Sequence, residues 1–206
     1  FLVEKGAGVN CANKDGRTPL WYACGENDVD VVRFLVEKGA NVNCANEHGW
    51  TPLMIACNLQ NVDVVRLLVE NGADVNYADK NGMTPLLYAF DIETIDLVRL
   101  LVENGADVNG ANKDGKTPLM RACDRNAINV VRFLMEKGAN INCADTDGNT
   151  PLLYACGDKR LDIDVVRFLV EKGAGVNCAN KDGRTPLWYA CGENDVDVVR
   201  FLVEKG

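Results

Sequence analysis

Nine cysteines and one histidine are the residues of this 206-residue sequence best suited to metal binding or nucleophilic chemistry. Their spacing supports neither. A structural zinc site needs thiolates and imidazoles in close pairs, and no pair of cysteines two residues apart, nor any Cys/His pairing, occurs. Five cysteines (Cys24, Cys57, Cys123, Cys156, Cys191) follow an Ala inside an apolar segment, and four (Cys11, Cys44, Cys143, Cys178) precede an Ala after Val-Asn or Ile-Asn. This regular recurrence reads as reduced thiols used as small apolar packers, and so as a reducing, cytoplasmic setting. His48 has no partner at a fixed spacing for acid–base work and reads as a loop-tip residue. The glycines recur with the same period and form no phosphate loop. The expectation is a protein with no catalytic, cofactor-binding or metal-binding residue, and not an enzyme.

The charge balance narrows the partners. Lys and Arg number 22 against 30 Asp and Glu, a net charge of −8. Nucleic acid and anionic membrane surfaces both draw affinity from basic side chains, so neither is expected. No run of eighteen apolar residues exists to span a bilayer. The chain opens on Phe1-Leu2-Val3-Glu4-Lys5-Gly6, with neither an initiator Met nor the zones of a signal peptide. It reads as an excerpt from a longer protein.

The elements that would position any site come from an internal repeat. Thr-Pro-Leu occurs at Thr18, Thr51, Thr84, Thr117, Thr150 and Thr185, with spacings of 33, 33, 33, 33 and 35. Thr can cap a helix through its hydroxyl, and Pro suits the first helical position, which needs no N–H bond. Leu20, Ala23 and Cys24 then fall on one face at i, i+3 and i+4. Val29, Val32, Leu35 and Val36 repeat the pattern in a second helix, which Gly39 ends. Val42-Asn43 leads outward, and pairs such as Asp15-Gly16, Asn81-Gly82 and Asp147-Gly148 turn the chain back. No unit can bury its apolar face alone, so the units must stack.

A 33-residue period with Thr-Pro-Leu-x-x-Ala, the Val-Val-x-x-Leu-Val second helix and the Gly-Ala-x-Val-Asn exit resembles the ankyrin-repeat family over the whole chain. The resemblance implies an all-α repeat solenoid of stacked helix-turn-helix units with projecting β-hairpin loops. It implies one domain over 1–206: the end of a partial repeat (1–12), full repeats at 13–45, 46–78, 79–111, 112–144 and 145–179, and a truncated repeat at 180–206. The family's usual His after Thr-Pro-Leu is replaced by Trp21, Met54, Leu87, Met120, Leu153 and Trp188, read as apolar packing between repeats. Its Gly-His between the helices is replaced by Asn27-Asp28, Gln60-Asn61, Glu93-Thr94 and Asn126-Ala127, so the Gln60 and Glu93 turns are expected to be strained or differently shaped. The fifth repeat carries two extra residues within Asp158–Asp162, which predicts a longer inter-helix loop at the edge of the groove. Asn10, Asn43, Asn76, Asn109, Asn142 and Asn177 resemble asparagines hydroxylated in other ankyrin proteins, though bracing of the hairpin by their side chains is the simpler reading.

In such stacks the first-helix face opposite the core lines a concave groove, extended by the loop tips. Here that face carries Tyr22/Gly25/Glu26, Ile55/Asn58/Leu59, Tyr88/Asp91/Ile92, Arg121/Asp124/Arg125, Tyr154/Gly157/Asp158 and Tyr189/Gly192/Glu193. Trp50, Met83, Leu59, Ile55 and Ile92 form an apolar cluster in repeats two and three, with Tyr22, Tyr88 and His48 beside it and Arg121 and Arg125 in the next repeat. Exposed apolar and aromatic residues inside a charged rim are the anatomy of a protein interface. The expected function is a scaffold that binds a protein or peptide with an apolar centre and a flanking acidic group. The alternatives are a recruitment arm of a larger enzyme, or a spacer that stacks end to end. The last draws on residues 1–39 being identical to 168–206, which points to recent duplication in a longer array and leaves faces open to head-to-tail self-stacking.

Overall fold

The computed structural model describes residues 8–90, 95–157 and 162–206. Each Thr-Pro-Leu opens a short helix: α1 (Pro19–Gly25), α3 (Pro52–Asn58), α5 (Pro85–Tyr88), α7 (Pro118–Asp124), α9 (Pro151–Gly157) and α11 (Pro186–Gly192). Each is followed by a longer one: α2 (Val29–Glu37), α4 (Val62–Glu70), α6 (Ile95–Glu103), α8 (Ile128–Glu136), α10 (Ile163–Glu171) and α12 (Val196–Lys205). The threonines act as the sequence predicts. The hydroxyl of Thr18 accepts the Trp21 N–H at 3.2 Å, and Thr51, Thr84, Thr117, Thr150 and Thr185 do the same three residues on. In two repeats the residue in the family's His position returns a bond: the Met54 and Met120 sulfurs accept the N–H of Thr51 and Thr117 at 3.5 Å.

The inter-helix turns bear out the concern about Gln60. Gln60 takes a φ of 59°, in the left-handed region, as do Asn27, Asn126 and Asn194. Its amide Nε2 donates to the Cys57 carbonyl at 2.9 Å and to the Tyr88 carbonyl at 3.4 Å, which helps hold the conformation. Glu93 and the loop at 158–161 lie outside the described residues. The second helices are capped by Asp28, Asn61, Asp162 and Asp195, whereas α8 starts after Ala127 with no side-chain cap.

The chain forms two compact units, 1–89 with 96–107, and 90–95 with 108–206. In the first, α1 packs on α2 and α3, α3 on α4 and α5, and α2 on α4. In the second, α7 packs on α8 and α9, α9 on α10 and α11, α11 on α12, and α10 on both α8 and α12. Leu20, Ala23 and Cys24 are buried as expected, and so are Met54, Leu87, Met120 and Leu153. Two expectations fail at α11: Trp188 is 53% exposed and Cys191 is also exposed. α11 packs on α9 and α12, and no other described helix covers the side on which these residues stand.

The arms between units differ from β-hairpins in detail. Among the described residues no strand forms. The arm closes as a turn, with the Asn46 N–H donating to the Trp50 carbonyl at 3.0 Å. The Asn46 side chain is the reason. Its Oδ1 accepts the N–H groups of His48 and Trp50, both at 2.9 Å, so the Trp50 N–H has no ladder role to play. Neighbouring tips are stitched by backbone bonds, including Glu47 N–H to the Asp15 carbonyl and Thr146 N–H to the Asp114 carbonyl. Gly49 and Gly115 sit at these crossings with φ of 84° and 77°, and a Cβ on either would lie 3.0 Å from backbone of the next arm.

The Asn column braces the next repeat, not its own arm. Asn43 Nδ2 donates to the Gly72 carbonyl at 3.0 Å while its Oδ1 accepts the Asp74 N–H at 2.8 Å. Asn10 and Asn76 in the first unit, and Asn109 and Asn142 in the second, make the same pair of hydrogen bonds to the backbone just past the next helix, Nδ2 donating and Oδ1 accepting.

Candidate functional site

In the first unit the fold separates the predicted binding residues into those spent on packing and those left open. Ile55, expected in the groove, is only 5% exposed: α3 is enclosed between α1, α4 and α5, so even its outward face is covered. Trp50 is half-buried, with its ring 4.7 Å from that of Tyr88. Tyr88 donates its hydroxyl proton to Asp79 Oδ2 at 2.7 Å. Met83 is half-buried, and its N–H is held by Asp79 Oδ1. Tyr22 and Leu59 are the open ones, each 45% exposed, and His48 is exposed beside Glu47. Ile92 lies outside the described residues.

The tyrosine column has a structural use that sequence reasoning missed. Tyr22, Tyr88, Tyr154 and Tyr189 each meet an Asn or Asp nine residues earlier in their own arm. Asp79 and Asp145 accept from Tyr88 and Tyr154 at 2.7 Å, whereas Asn13 and Asn180 donate to Tyr22 and Tyr189 at 3.3 Å. The readable signal was an Asn or Asp recurring with the period three residues ahead of each turn glycine. Asp145 shows the chemistry best. Burial works to raise its pKa. Hydrogen bonds from the Tyr154 hydroxyl, the Asn149 backbone and side chain, and the Asp147 backbone outweigh that and hold it below the ordinary carboxylate value. Burial, then the hydrogen bond to Asp145 and its charge, push the Tyr154 phenol well above its usual value.

In the second unit Arg121 lies in α7 and Arg125 caps its end; both are half-buried, and neither Nε has a hydrogen-bond partner. Next to them a cleft of about 190 Å³ opens between α7, α9 and α11. Its lining is Asp124, Asn149, Leu153, Tyr154, Gly157 and Tyr189. Leu153 is buried beneath it, and the absence of a side chain at Gly157 leaves the Tyr189 ring edge as a wall. Cys24 and Cys156 are buried, with thiols pushed up to about 12, and burial also raises Cys57 and Cys123, so none is a nucleophile at neutral pH. Among the described residues no cluster of His, Cys, Asp or Glu could hold a metal, and no helix is long and apolar enough to cross a membrane.

The sequence profile described as ankyrin repeats (3 copies) matches residues 1–79, 74–145 and 137–206. Among solved structures, the human ASB11 ankyrin repeat domain superimposes with a TM-score of 0.85 at 26% identity, covering 100% of this chain and 90% of that one. No curated protein matches the chain by sequence.

Proposed function

The chain belongs to the ankyrin-repeat family, whose members generally serve as protein-interaction modules without catalysis, and from that premise we propose that it is a scaffold binding a protein or peptide on its first-helix face and arm tips. The observation that carries this reading is variation on a constant frame. Each described Thr-Pro-Leu opens on the same threonine cap, and the repeats from α1 to α9 bury the same Leu-x-x-Ala, while the position two residues after the Leu changes from Tyr22 to a buried Ile55 to Tyr88 in one unit and from Arg121 to Tyr154 to Tyr189 in the other. Stacking alone requires no such change. In the first unit the contact surface is Leu59, Tyr22 and the open edge of Trp50, with Met83, Tyr88 and His48 around it. In the second it is the cleft with Arg121 and Arg125, two half-buried cations one helical turn apart whose charge suits an acidic group on the partner. The recurrence of nine cysteines with the repeat supports a reducing, intracellular setting for this scaffold.

The test is capture of a partner by the wild-type chain and by a Trp50→Ser/Leu59→Ser double variant, with helicity followed by circular dichroism. Loss of at least tenfold in capture with unchanged helicity is expected, about 1.4 kcal/mol for removing an anchor. Equal capture by both proteins would remove the first-unit surface from the proposal.

A further inference from the structure

We propose that the cleft between α7, α9 and α11 is a receptor for a basic side chain, lysine or arginine, of the bound partner. The inference rests on the reading of the chain as an interaction module and names one chemical feature of what it binds.

The neutral polar groups of the cleft bond mainly to one another and to Asp145, and the one charged group of the lining does not. Asn149 is fully engaged: its N–H and Nδ2 donate to Asp145, and its Oδ1 accepts from Asn180. The Tyr154 hydroxyl donates to Asp145 at 2.7 Å, and Tyr189 accepts from Asn180 at 3.3 Å. Among the described residues no hydrogen bond or ion pair engages the Asp124 side chain, although it is half-buried in this wall. Asp124 is thus a half-exposed carboxylate with no partner inside the protein, and a cation entering the cleft supplies one.

The rest of the lining suits a cation carried on an apolar stem. Leu153 and the Tyr189 ring edge offer apolar contact to the stem, and a tyrosine face attracts ammonium and guanidinium groups. The molecule itself shows the Tyr154 ring doing so: Lys116 Nζ stands 5.6 Å from its centroid. At about 190 Å³ the space matches one long side chain and not a folded surface. An acidic side chain would meet Asp124 with like charge, so Arg121 and Arg125 are left to serve a separate acidic group beside the cleft.

The experiment titrates the full chain, followed by NMR of the tyrosine rings, with three blocked amino acids: Nα-acetyl-lysine amide, Nα-acetyl-arginine amide and Nα-acetyl-norleucine amide. The lysine and arginine probes should shift the Tyr154 and Tyr189 ring signals saturably, at least about fivefold more tightly than norleucine, as one partly desolvated ion pair allows. Asp124→Asn should bring lysine down to the norleucine level. Gly157→Leu, which fills the cleft while keeping every charge, should abolish the shifts from all three. Norleucine binding as tightly as lysine, an Asp124→Asn variant with unaltered lysine affinity, or no saturable shift with any probe would each overturn the proposal. These probes require no protein partner, so a negative result leaves the scaffold reading intact, and a failed partner capture leaves this one intact.

Discussion

At the scale of single residues, the side chains that recur matter more to stability than to recognition. The Asn43 amide makes two bonds to the next repeat, at 3.0 and 2.8 Å. Asn43→Ala should cost about 1–2 kcal/mol in urea unfolding, the net value of two ordinary hydrogen bonds at an exposed site. A loss below a few tenths would mean that water replaces them fully. The Asp145–Tyr154 pair has a pH signature at both ends. Asp145 has a folded-state pKa below its unfolded value, so its contribution is present above the ordinary carboxylate range, near 4, and fades as pH falls through the folded pKa. Tyr154 has its pKa raised, so its contribution is complete below about 10 and is lost as pH climbs beyond that. Tyr154→Phe should therefore flatten the alkaline limb of a plot of unfolding midpoint against pH, and a limb as steep as in wild type would refute this. The threonine caps were legible as residues because capping is local. The Asn and Tyr partnerships were not, because their partners lie up to 33 residues away and periodicity alone names no acceptor.

Among the elements, α8 is the weak start. Ala127 gives it no side-chain acceptor, whereas Asp28, Asn61, Asp162 and Asp195 cap the matching helices. Ala127→Asp should add about 1 kcal/mol by capping the second or third N–H and placing a negative charge at the positive end of the helix dipole. Calorimetry or urea melting checks this, and a drop in stability would show that the nearly buried site cannot admit a carboxylate. Helix boundaries and the two-helix unit could be read from Thr-Pro-Leu and the 3.6-residue apolar rhythm. The outward face of α3 could not: the 100° step put Ile55 in solvent, but three neighbouring helices cover it. Periodicity describes one helix at a time, and burial is decided by how many others surround it.

Across the whole molecule, the nine thiols form a graded probe of packing. Cys11, Cys178 and Cys191 are exposed, Cys44 and Cys143 are half-buried, and Cys24, Cys57, Cys123 and Cys156 are buried. A thiol-reactive dye added to native protein should modify the first three fastest and the buried four only as repeats open, so their rates under mild denaturant report opening repeat by repeat. Prompt reaction at Cys57 or Cys123 would contradict the packing. The stacked helical repeat was legible, but the turn form of its arms and which of its positions remain free were not. The duplicated stretch adds a consequence for any reagent meant to recognise this protein. The seven residues Pro-Leu-Trp-Tyr-Ala-Cys-Gly occur in α1 and again in α11. The first copy has its thiol sealed and the second has both Trp188 and Cys191 in water. An antibody raised against that peptide will find two epitopes on the denatured chain and one on the native molecule, so the ratio of the two signals counts unfolded copies in a mixed sample.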